Sequence, residues 1–140
     1  MNMPVDRLHL LAGLAYAMVG LGLGIHMAAS HDHGQAVTHA HLLLVGFLLT
    51  FAYAVIGRLW LPGRRGLLRT LQFWVHHAGA AGLISGLFLL YSGRLSLGAL
   101  EPLLAASSIL VLLALVLMSV MAARAESASS ERPAMRPATG

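Results

Sequence analysis

Eight histidines and no cysteine set the chemistry open to this chain of 140 residues. Any bound metal must use imidazole, methionine sulfur or carboxylate, because thiolate is absent. The densest signal is Thr38-His39-Ala40-His41, at the start of a long apolar stretch. On a helix, positions i and i+2 lie about 200° apart. Rings at His39 and His41 therefore point to opposite faces and suit two centres rather than chelation of one ion. His26 sits near the end of the preceding apolar stretch, beside Met27, which offers a soft alternate ligand. If the two stretches cross a membrane in opposite directions, His26, His39 and His41 lie at one depth. His26 and one of the pair could then ligate a metal from two sides.

The other histidines invite weaker readings. His31-Asp32-His33 is a loop sequence of the kind that can hold copper or zinc, and also an ordinary polar turn. His76 and His77 are adjacent, about 100° apart on a helix, so at most one is expected to face a bundle centre. One of them could bind a second centre, hydrogen-bond a cofactor carboxylate or relay protons. His9 lies beside Arg7 and reads as a snorkelling surface residue at the membrane interface. A histidine within hydrocarbon is costly, which makes each buried one a candidate for function. No pair of catalytic carboxylates, no phosphate-binding loop and no nucleophile–base pattern accompanies them.

The elements that must position these residues are membrane helices. The chain is 58% hydrophobic and 10% charged, with a mean hydropathy of +0.78. Soluble domains carry about 25% charged residues, so a soluble globular or disordered chain is excluded. Four apolar stretches are long enough to span a bilayer: Leu8 to Ala28, Val37 to Trp60, Leu71 to Tyr91 and Leu100 to Ala123. Backbone groups in lipid must be satisfied within each segment, so these are helices rather than strands. Their connections are short, which predicts an all-α, up-down four-helix bundle over 1–123. From Arg124 the composition turns to Ser, Ala, Glu, Pro and Gly, and 124–140 reads as a disordered cytoplasmic tail. The first stretch is long enough to span and reads as a helix, not a cleaved signal peptide.

All nine basic residues are arginine, against five acidic ones. They lie between the apolar stretches, which points to the lipid bilayer as partner and not to nucleic acid. Eight of the nine fall on the side shared by the N-terminus, the second loop and the C-terminus; only Arg94 falls on the other. Both termini are therefore expected in the cytoplasm, in a bacterial-type inner membrane. Gly20-x-Gly22-x-Gly24 and Gly79-x-x-Gly82-x-x-x-Gly86 place small residues on helix faces. These fit bundle packing, or room for a flat cofactor or a second subunit.

The stretch from Thr38 to Tyr91 resembles the tenth and eleventh helices of the haem-copper oxidase catalytic subunit (cytochrome c oxidase subunit I). The resemblance rests on Thr38-His39-Ala40-His41-Leu42-Leu43-Leu44-Val45-Gly46-Phe47, then Tyr53 to Pro62 (YAVIGRLWLP), then a basic loop and Leu71-Gln72-Phe73-Trp74-Val75. Gly24-Ile25-His26-Met27 and Asp32-His33 add a likeness to small four-helix subunit I-like membrane proteins. The resemblance implies haem b, with His39 and His41 as axial ligands, one to each of two haems, and His26 able to stand opposite one of them. It also implies electron transport in a respiratory chain, with a homo-oligomer or oxidase subunits as partners. The helices that would carry the oxidase copper ligands and the associated tyrosine have no counterpart, and Gln72 replaces a histidine common in the family. Oxygen reduction by this chain alone is therefore not expected. The rival reading is a copper-handling or structural assembly factor for a terminal oxidase, using His26, His31, Asp32, His33, His39 and His41.

Overall fold

The computed structural model describes residues 3–61 and 66–130, the last five as backbone only. Four helices among the described residues are long and apolar enough to cross a membrane: Val5–Ser30, Ala36–Leu59, Leu67–Tyr91 and Leu97–Ala125. The described residues form only helices and short connections, and the chain reads as a multi-pass membrane protein. At 1.5 Å per residue, a helix of 25 residues is about 38 Å long, more than a hydrocarbon core of about 30 Å.

The first, third and fourth helices run past the limits of their apolar stretches, while the second, Ala36–Leu59, nearly coincides with its own. The first begins just after Pro4, whose carbonyl accepts from Arg7 N–H at 3.0 Å and Leu8 N–H at 3.1 Å. It ends at His31, which takes a left-handed φ of 56°. The last helix continues to Ser130, seven residues beyond the apolar limit at Ala123. The rest of the expected tail, 131–140, lies outside the described residues, as do 62–65 of the basic loop.

The third helix closes with a glycine cap. Gly93 N–H donates to Leu90 O at 3.0 Å and Arg94 N–H to Leu89 O at 3.1 Å. This pair of hydrogen bonds needs a left-handed residue at the first donor, and Gly93 supplies it at φ 66°. No atom stands within 4 Å of where a Cβ would lie. Gly93→Ala therefore meets only backbone strain, and is expected to cost about 1 kcal/mol in a reversible SDS unfolding titration.

The second helix is wound more loosely over Leu42–Leu49, where it is π-helical. As far as Thr50 its buried positions, Thr38, Leu42, Gly46 and Thr50, recur every four residues. In a regular α-helix each step of four overshoots a full turn by about 40°. The wider turns absorb that drift and keep the four on one face. Gly46 sits in the middle of the segment, and the Tyr16 ring occupies the space of its missing side chain, with Cγ 2.7 Å from the Cβ position. The same face meets the first helix elsewhere: Gly20 lies against Leu42 and Leu43, and Gly24 against His39.

The third and fourth helices pack closely along their length. Their seam is the glycine row Gly79, Gly82 and Gly86, facing Ser107, Leu110, Val111, Leu103 and Leu104. The fourth helix thus fills this row from within the chain, leaving no room there for a flat cofactor or a second subunit. Gly22 has nothing within 4 Å of its Cβ position. The fourth helix reaches the second through a cluster of Tyr53, Leu61, Met118 and Met121. Outward faces are apolar throughout: Met18, Ile25, Trp74 and Ile109 are 65–71% exposed. Exposed apolar area of this extent is a lipid-facing surface.

Candidate functional site

Polar side chains collect in two places. The first surrounds the start of the second helix. His39 Nδ1 lies 2.8 Å from Gly20 O, across on the first helix. Gly24 makes that approach possible, because a Cβ there would stand 2.8 Å from His39 Cε1. His41 Nδ1 lies 2.9 Å from Val37 O, one turn back on its own helix. Both rings therefore donate Nδ1–H to a backbone carbonyl and keep the Nε2 lone pair available. A second-position hydrogen bond of this kind fixes tautomer and orientation in metal-bound histidines. Both rings are half-buried, and His26 is exposed.

The adjoining loop is organised by its own polar groups. Asp32 Oδ1 accepts from Gly34 N–H at 2.9 Å, an Asx turn. Thr38 Oγ1 donates to Gln35 Oε1 at 2.6 Å, and Gln35 Nε2 donates to Phe88 O at 3.3 Å on the third helix. His31, Asp32 and His33 are all exposed. Among the described residues, no group of three or more His, Asp or Glu is placed to hold a metal ion.

The second collection lies inside the bundle, and it changes two expectations. His9 is not a surface residue: it is 1% exposed, with Nε2 3.0 Å from Gln72 Oε1. Its neighbour Asp6 takes the rim instead, 3.5 Å from Arg69. His76 and His77 both face inward, where one at most was expected. The third helix rests against both the first and the second, so two directions 100° apart both point into the protein. His76 turns to the second helix, with Nε2 2.7 Å from Thr50 Oγ1 and its ring 4.9 Å from Tyr53. His77 turns to the first helix, stacked on Tyr16 at 5.9 Å and 5.4 Å from His9.

The result is a polar column. It runs from the Asp6–Arg69 ion pair through His9, Gln72 and Tyr53 to His76, Thr50, His77 and Tyr16. Thr50, Tyr53, Gln72 and His76 are at most 1% exposed. Tyr16 and Thr50 gave no motif to sequence reasoning, and Tyr53 entered only as the start of the segment 53–62. The available signal was a stripe of polar and small residues three or four apart: Asp6, His9, Gly13, Tyr16 and Gly20 on the first helix, and Arg69, Gln72 and His76 on the third.

Several polar atoms in this column have no protein partner: His9 Nδ1, Tyr53 OH, Gln72 Nε2, His76 Nδ1 and His77 Nε2. Each such atom, if left unpaired, costs about 1–3 kcal/mol. Together they would offset the whole stability of a typical domain, about 5–15 kcal/mol. No protein-family model, curated protein or solved structure matches this chain.

Proposed function

We propose that this is an up-down four-helix protein of a bacterial-type inner membrane, with both termini cytoplasmic, that binds haem b through His39 and His41. Four apolar helices and the bias of arginine toward one side support the placement. The likeness of 38–91 to two helices of oxidase subunit I supports the ligand. The observation that carries the reading is the anchoring of both imidazoles. Each gives Nδ1–H to a carbonyl, of Gly20 or Val37, and leaves Nε2 as the donor atom. Imidazole nitrogen is a common axial ligand of haem iron. The donor set fits, and the absence of cysteine is consistent with it.

Bound there, haem would supply one-electron transfer, or gas binding if one axial position stays open. The protein's part is to hold the rings and exclude competing ligands. His39 and His41 would hold the group, with His26, Met27, a second copy of the chain or a respiratory oxidase subunit as candidates for a further ligand. His76 and His77 belong to the separate internal column. Electron transfer in support of a respiratory oxidase is the role that follows.

A reduced-minus-oxidised spectrum of the detergent-purified protein tests this directly. A Soret band is expected, retained through detergent exchange and lost in His41→Ala. Stoichiometric copper without a Soret band would replace this reading with copper handling by the outer histidines. Neither haem nor copper would leave a structural assembly role.

A further inference from the structure

The internal column is the more deeply buried of the two collections: His9, Tyr53, Gln72 and His76 are at most 1% exposed, and His77 is half-buried beside a groove along the first helix. His9, Tyr53, Gln72, His76 and His77 surround one another, with ring separations of 4.9 to 6.2 Å along His9–Tyr53, His9–His76, His9–His77, His76–His77 and Tyr53–His76. Their unpartnered atoms are chemically complementary to water. Gln72 Oε1 takes the Nε2–H of His9, which leaves His9 Nδ1 as a bare acceptor. The Gln72 amide N–H groups are donors, and Tyr53 OH both gives and takes. Buried water typically makes about three hydrogen bonds to otherwise unsatisfied groups of this sort.

We propose that this cluster holds ordered water bonded to all three imidazoles, and that the water carries protons inward from the Asp6–Arg69 end. His76 lies seven residues along the third helix from Arg69, about 10 Å at 1.5 Å per residue. A groove of about 380 Å³ lined in part by Asp6, Arg7 and Arg58 opens at the rim of the column. The groups facing the path are Asp6, Arg69, His9, Tyr53, His76, His77 and Tyr16. A proton reaching His9 binds at Nδ1 and leaves from Nδ1 to the next water, since Gln72 holds the other N–H in place. Each water gives one proton as it accepts another, and nothing is oxidised or reduced. This inference does not depend on haem at His39 and His41.

Solid-state NMR of the full chain, histidine-labelled with ¹⁵N and placed in lipid bilayers, reads both parts. The ring nitrogens of His9, His76 and His77 are expected to correlate with water protons at short mixing times. Their exchangeable protons are expected to be replaced by deuterium when the bilayers move into D₂O. Tyr53→Phe, which removes one hydroxyl and keeps the ring, is expected to weaken the water correlation of His76. The exposed His31 and His33 serve as wet references. Water correlations at His31 and His33 but none at His9, His76 and His77 would overturn the proposal. Water that correlates with the rings but never exchanges with D₂O would overturn the proton route.

Discussion

Gly79→Leu is expected to keep the third and fourth helices from docking. A Cβ at Gly79 would stand 2.9 Å from Ser107 O, Val111 N and Leu110 Cβ. Two of these are backbone atoms of a continuous helix, which cannot rotate aside. The helix must move bodily, and with it the buried Leu100, Ala114 and Met118. Even Gly79→Ala should cost about 1–2 kcal/mol, because overpacking of about 1–3 kcal/mol exceeds the helix-propensity gain of about 0.5–1 kcal/mol. The obstacles at Gly82 and Gly86 are softer: a rotatable Ser107 hydroxyl and the far end of Leu104. Gly22→Ala, with nothing nearby, is expected to be neutral or mildly stabilising. SDS unfolding titrations of this alanine series should rank Gly79 worst and Gly22 best. A wild-type midpoint for Gly79→Leu would mean that the seam is not this close in the membrane.

That glycine row was legible because small residues three and four apart on an apolar helix have few uses besides close packing. The spans were legible for a similar reason: the bilayer imposes length and hydropathy together. Helix ends were less so, since hydrogen bonding and not hydropathy stops a helix. Thus Arg69 and Asp6 are helical although neither is apolar. The facing of His9 could not be read from its neighbours in sequence. Proximity to Arg7 suggested the surface, yet one face of the helix carries Asp6 and His9 inward while Arg7 is exposed. The facing of Thr50 depends on the π-helical turns before it, and no residue type marks those turns. His39 and His41 were singled out by spacing, but their anchoring to Gly20 O and Val37 O needed coordinates.

The second large effect is expected in the buried His9–Gln72 pair, and its sign depends on how many partners are removed. Gln72→Leu strips the acceptor from His9 Nε2–H, which sits in a ring 1% exposed. A buried donor left unpaired costs about 1–3 kcal/mol. His9→Phe should cost a similar amount by orphaning Gln72 Oε1, although the phenylalanine keeps the ring contacts with Tyr53 and Phe73. The double variant removes donor and acceptor together. It also removes His9 Nδ1 and Gln72 Nε2, both without protein partners. Replacing both members of a buried pair by apolar groups of similar shape is close to neutral. The double variant should therefore lie within about 1 kcal/mol of the wild type, giving a coupling of about 2 kcal/mol or more. Purely additive losses in the same SDS titration would mean that the two side chains do not meet. If the double variant is folded and stable, the pair is not retained for stability, and its polar atoms must be kept for what they bind.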